Sequence, residues 1–283
     1  MSYQPYRPGG FKLLPDVVKN LLIINGILFL TLMVFGDKFN VDLNDILGLH
    51  YFQAEKFRPY QLITYMFMHG NFMHIFFNMF ALWMFGSAME NFWGTKRFLI
   101  YYMVTGIGAA LTQYAVLYYQ LSPVLDSLDA FISNPQLAAF QEMISNGTIS
   151  IISPEMQESF HDFSVKYDQL MLKDPSLTLP AVVEFVQQYK IDYLNAPVVV
   201  GASGAVFGLL LAYGMMFPNN IIYIYFAIPL KAKYFVILYG AIELYSGLSN
   251  NAADNVAHFA HLGGMLFGIF LILYWKRQRK NFF

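Results

Sequence analysis

The chain has 283 residues, 57% of them hydrophobic and only 12% charged, with a formal net charge of −1. Soluble domains carry about a quarter charged residues, so the composition excludes an ordinary soluble fold, and no nucleic-acid partner is expected. There is no cysteine, which excludes disulfides and thiolate chemistry.

In chain order, six apolar runs stand out, at 21–36, 72–89, 98–119, 198–217, 235–248 and 256–275. A membrane span needs about 20 apolar residues and has no water to satisfy its backbone, so each run is expected to be a helix. The fold class expected is therefore an all-α polytopic membrane protein. Residues 1–20 form a tail without a small-residue cleavage site, so the first run reads as a retained helix and not a signal peptide. Residues 37–71 form an outside connection, rich in aromatics of the kind that sit at headgroup level. Residues 121–195 differ from the rest: they hold ten acidic and three basic residues, with helix-like apolar spacing over 135–145, 154–172 and 180–193. They read as a mostly helical extracytoplasmic insertion between the third and fourth spans. Spans four to six then occupy 196–275, with 228–233 running along the inner surface, and 276–283 is a basic tail.

Eleven of the seventeen Lys and Arg fall on one side of this topology, including Arg7, Lys12, Lys19, Lys96, Arg97, Lys276, Arg277, Arg279 and Lys280. Basic residues mark the cytoplasmic side. Both termini are therefore expected in the cytoplasm, and a bacterial inner membrane is the expected location.

Polar groups on apolar helices are expensive and usually functional. Ser203 lies in Gly201-Ala202-Ser203-Gly204, at the start of the fourth run. There it is close to the free N–H groups of a helix N-terminus, which can stabilise an oxyanion. His261 follows in the sixth run, with Gly264 and Gly268 on the same helical face. If that face packs on the Gly204/Gly208 stripe, the imidazole reaches the serine and can act as its base. His258, one turn earlier, has fewer small neighbours and reads as a water-facing or hydrogen-bonding residue. His74 and Asn78 are four apart and share a face of the second span. Both can donate hydrogen bonds, as an oxyanion site requires, although an interhelical polar clamp needs the same pattern. Glu90 reads as structural, paired with a base or with backbone donors. Glu243 has no assigned role.

Together, Gly201-Ala-Ser203-Gly204, His261-x-x-Gly264-x-x-x-Gly268, His74-x-x-x-Asn78 and the run from Tyr60 to His69 resemble the rhomboid family of intramembrane serine proteases. The resemblance implies a six-helix rhomboid bundle and a Ser203–His261 dyad without an acidic third member. It also implies an oxyanion site from His74, Asn78 and the Ser203 N–H, and substrates that are transmembrane segments of other proteins in the bilayer. It implies no cofactor and no metal. The chain departs from the family at Tyr60-Gln61, where many relatives carry Trp-Arg, and in the length of the insertion. Two alternatives are a non-catalytic membrane-helix binding protein and a metalloenzyme ligated by His69, His74, His258 and His261, for which the sequence places no carboxylate beside the histidines.

Overall fold

The computed structural model describes residues 10–39, 41–224, 227–249 and 256–278. Arg7, Arg279 and Lys280, used above for orientation, lie outside them. In chain order the helices begin with α1 (Asp16–Phe39), α2 (Leu43–Leu47), α3 (Gln61–Thr64), α4 (Phe72–Ala81), α5 (Ser87–Trp93) and α6 (Thr95–Ser133). They continue with α7 (Leu137–Ser145), α8 (Pro154–Lys173), α9 (Thr178–Asn195), α10 (Ser203–Met216), α11 (Ala232–Ser249) and α12 (His258–Gln278). The chain divides into two compact units, one of Met1–Gly48, Tyr60–Gln113 and Val199–Phe283, the other of Leu49–Pro59 and Tyr114–Val198.

Among the described residues, four helical stretches are long and apolar enough to cross a membrane: Asp16–Gly36, Phe72–Trp93, Thr95–Ser133 and His258–Gln278. The third of these runs on past residue 113 into the second unit. The stretch Phe72–Trp93 joins α4 to α5 through a π-turn at Leu82–Gly86. Six apolar runs therefore give four helices of full spanning character. The run at 198–217 yields a helix of only 14 residues, because α10 begins at Ser203. The cause is local: Gly201 has φ +126, a left-handed conformation that a helix cannot continue through. At 1.5 Å per residue α10 is about 21 Å long, against about 30 Å of bilayer hydrocarbon. Residues 204–210 of α10 are all buried, as expected of a helix that is apolar all round. The fifth run lies within the 18-residue α11.

Glu90 is buried at 3% exposure and closes the start of α1. Its Oε1 accepts the Val17 N–H at 3.0 Å and its Oε2 the Val18 N–H at 2.9 Å, and Thr95 Oγ1 donates to Oε1 at 3.2 Å. The first N–H groups of a helix have no partner within it, and the positive end of the helix dipole favours an anion there. Hydrogen bonds to a charged group contribute about 1.5–3 kcal/mol each. Glu90→Ala is therefore expected to destabilise the protein by about 3 kcal/mol, read as a lowered melting temperature in detergent. Glu90→Gln, which keeps an acceptor oxygen, is expected to lose less.

Gln61, where the resemblance implies an arginine, is also buried at 1% exposure. Its Nε2 donates to Ile46 O at 3.1 Å, and Thr64 Oγ1 donates to Leu47 O at 2.7 Å. These bonds tie α3 back to the end of α2. Besides its helices, this unit has an antiparallel hairpin in which Ile221–Ile224 pairs with Ile228–Lys231. The sequence reading placed a surface-following segment there. The β-branched isoleucines favour extended backbone, and Pro218 before them prevents α10 from continuing.

The second unit takes in the latter part of α6 together with α7, α8 and α9. The apolar spacing over 135–145, 154–172 and 180–193 falls on α7, α8 and α9. Helix α6 does not end where the third apolar run ends; it reaches Ser133 with Pro123 inside it. Phe163 and Phe185 stack at 4.1 Å in the core of this unit, with Phe140 edge-on to both. Ser153 caps α8 by accepting the Met156 N–H, followed by Pro154 at the first helical position, a position where its missing N–H is harmless. Tyr189 OH donates to Ser150 O at 2.8 Å and accepts the Ser150 N–H at 2.9 Å.

Candidate active site

The site lies within the first unit, where α4, α10, α11 and α12 each contribute a polar side chain. Ser203 is the first residue of α10, preceded by Ala202 as a cap without a side-chain hydrogen bond. The N–H groups of this first helical turn have no carbonyl one turn behind them. The loop leading into it is pinned by the Gly201 N–H, which donates to Tyr65 O at 2.9 Å.

Ser203 Oγ and His261 Nε2 are 2.8 Å apart. His261 is buried at 8% exposure, while Ser203 is half-buried. The imidazole stacks on Phe207 with 4.2 Å between centroids and 5° between planes. Phe207 is four residues after Ser203, so one face of α10 carries both the hydroxyl and the ring that fixes its partner's plane.

The glycines allow this approach: Gly264 meets Gly204 directly, while Gly208 and Gly268 are bridged by Tyr101. A Cβ at Gly264 would fall on the carbonyl oxygen of Gly204, so α12 meets the backbone of α10 directly. Gly204 and Gly208 also fit α6, where a Cβ would meet Ala109 and Thr105. Gly268 leaves room for Tyr101 OH, which donates to Gly208 O at 2.9 Å. The three helices thus fit one another through small residues, α12 meeting α6 as well, where a Cβ at Gly263 would meet Thr112.

His74 sits on α4, whose N-terminus is capped by Asn71 Oδ1 accepting the His74 N–H at 2.9 Å. A Cβ at Gly201 would lie 2.6 Å from His74 Nε2 and 3.6 Å from Ser203 Oγ, so the imidazole packs against the bare Cα of Gly201, beside the hydroxyl. Asn78 is buried one turn deeper at 6% exposure, with its Nδ2 donating to His74 O at 3.0 Å. That bond uses one of its two amide protons. His69, just before α4, packs edge-on against the His74 ring at 4.9 Å. Burial, and after it the neighbouring His74, lowers the His69 imidazole to about 3, so it brings no positive charge to the site at neutral pH.

A model of the Rhomboid domain matches residues 56–125 and 177–278. The chain belongs to the rhomboid family. RHOMBOID-like protein 12, mitochondrial, of Arabidopsis thaliana is 25% identical over 268 residues, 95% of this chain and 60% of that protein. The chain thus spans about 60% of the length of the relative it matches. The rhomboid match passes over residues 126–176, which lie in the second unit. With a rhomboid domain and four helices of spanning length, this is a membrane protein.

Two residues of this rhomboid site were not assigned from sequence. One is Phe207, whose position at four after Ser203 was its available signal. The other is Glu243 of α11, whose Oε2 lies 2.8 Å from His261 Nδ1 and 2.7 Å from His258 Nδ1. Its side chain is 9% exposed. The histidines are therefore accompanied by a carboxylate after all. Glu243, His258 and His261 bring their potential ligand atoms within 4.8 Å of one another, and His69 and His74 are not part of that group.

Proposed function

We propose that this rhomboid is an intramembrane serine endopeptidase that cleaves transmembrane segments of other membrane proteins. One observation carries the reading: the 2.8 Å contact between Ser203 Oγ and His261 Nε2, at the start of an apolar helix. His261 takes the hydroxyl proton as Ser203 attacks the peptide carbonyl, then gives it to the leaving amine. The oxyanion that forms is held by His74, the Ser203 N–H and the second amide proton of Asn78. Water then hydrolyses the acyl-enzyme and frees Ser203.

The shortness of α10 supports a site below the membrane surface. If Met216 reaches one interface, Ser203 falls about 9 Å short of the other. Water must therefore enter through a cavity from the side on which α10 begins. In our reading the bundle has six spans, with α10 and α11 completing it, and residues 121–195 form an extracytoplasmic insertion. Both termini are cytoplasmic, following the basic residues, and the membrane is a bacterial inner membrane.

The hydrogen-bonded pair favours catalysis over a helix-binding role, which needs neither group. A cation on Glu243, His258 and His261 would take the nitrogen of His261 that faces away from Ser203, leaving the serine contact without a purpose. Purified protein in lipid, assayed on a transmembrane substrate, tests the proposal. Ser203→Ala is expected to abolish cleavage, and chelator treatment to leave it intact. Undiminished cleavage by the Ser203 variant would remove the nucleophile assignment; loss on chelation with recovery on adding zinc would favour the metal reading.

A further inference from the structure

The resemblance implies a dyad, yet a carboxylate lies against the far side of the base. We infer that Glu243 is the third member of the catalytic unit, a positioning residue whose carboxylate accepts the Nδ1 proton of His261 and so directs the Nε2 lone pair at Ser203. The inference rests on the serine-protease reading and deepens it.

A neutral imidazole carries one N–H, and which nitrogen bears it decides whether the ring can act as a base toward Ser203. An ionised carboxylate only accepts. With Glu243 Oε2 at 2.8 Å from Nδ1, the proton belongs on Nδ1, and Nε2 is left free to accept the Ser203 hydroxyl 2.8 Å away. When Nε2 takes that proton the ring becomes a cation. The carboxylate, already in place, offsets the new charge where little water is available to do so.

Geometry supplies the second line. Glu243 holds the ring at one nitrogen, Ser203 meets the other, and Phe207 covers one face at 4.2 Å. Both nitrogens and one face of the imidazole are thus held. Third, a glutamate in the apolar stretch of α11 needs a reason to be there. Cross-linking α11 to α12 is one available reason, and a neutral amide would satisfy it; fixing the tautomer requires the acceptor-only chemistry of a carboxylate. His258 lies against the same oxygen from one turn away, at 2.7 Å.

The test uses the full-length protein in lipid with a transmembrane substrate, comparing parent, Ser203→Ala and Glu243→Gln. Glu243→Gln keeps the shape but not the charge. It is expected to lower kcat by about 10²- to 10⁴-fold, as loss of a triad carboxylate does, while KM stays within about twofold. The rate at which a fluorophosphonate labels Ser203 is expected to fall in proportion. If Ser203→Ala is inactive but Glu243→Gln keeps the parent kcat and labelling rate, the inference is overturned while the protease reading stands. If Ser203→Ala cleaves normally, the protease reading itself has failed. Should Glu243→Gln not fold, ¹⁵N resonances of the histidines in the parent protein decide: a protonated Nδ1 on His261 is expected, and a protonated Nε2 overturns the inference.

Discussion

Ser203→Ala, His261→Ala and the double variant are expected to fall to the same floor, at least about 10³-fold below the parent in kcat. In the proposed mechanism hydroxyl and imidazole act as one device. The serine is a weak nucleophile until its proton has somewhere to go, and the imidazole has no task without that proton. Removing either removes the same step, so the second substitution has nothing left to take away. Two independent structural contributions would instead multiply. The measurement is kcat for the three variants on one transmembrane substrate, with KM confirming that binding persists. His258→Ala belongs in the same series. Its Nδ1 faces Glu243, and the Ser203 contact belongs to His261. Its expected loss is less than about tenfold, since His261 and Glu243 can keep their own hydrogen bond. A His258 variant as inactive as His261→Ala would contradict the choice of His261 as base.

The pair behind this prediction was legible because its context is unusual at the level of single residues. A serine and a histidine on apolar runs, each followed by spaced glycines, depart from what lipid tolerates. His74 and Asn78 were legible for the same reason, through their spacing of four. Helical period tells which residues share a face; it does not tell which helix that face meets. Gly204 and Gly208 therefore turned out to fit α6 as well, and Gly264 takes the backbone of α10. Glu243 was less accessible still. It lies 18 positions from His261 on a separate helix, and the contact depends on the rotation of α11, which no local pattern encodes. Boundaries failed for a related reason. The apolar run at 198–217 includes residues held extended before Gly201, and α6 continues where the apolar composition stops. A run of apolar residues reports the environment of the chain, whereas helix ends are set by backbone events such as the positive φ at Gly201.

Gly264→Ala is expected to lower both stability and activity, although it adds a single methyl group. That methyl would coincide with the carbonyl oxygen of Gly204 and lie 2.7 Å from its carbonyl carbon. A flexible side chain could move aside; a carbonyl built into α10 cannot move without the helix. Overpacking of this kind costs about 1–3 kcal/mol, which a melting curve in detergent would show. The effect on catalysis is expected to be larger in proportion. Gly264 follows His261 by three residues and Gly204 follows Ser203 by one, so the helices would be pushed apart beside the 2.8 Å contact between hydroxyl and base. A displacement of about 1 Å between reacting groups can cost about 10²-fold in rate, and kcat for Gly264→Ala is expected to fall by at least that much. Gly26→Ala is the control. It lies in α1 with nothing within 4 Å of an added Cβ, so it is expected to leave kcat unchanged and stability equal or slightly raised. Equal behaviour of the two variants would mean that contact of α12 with the α10 backbone does not hold the catalytic pair together.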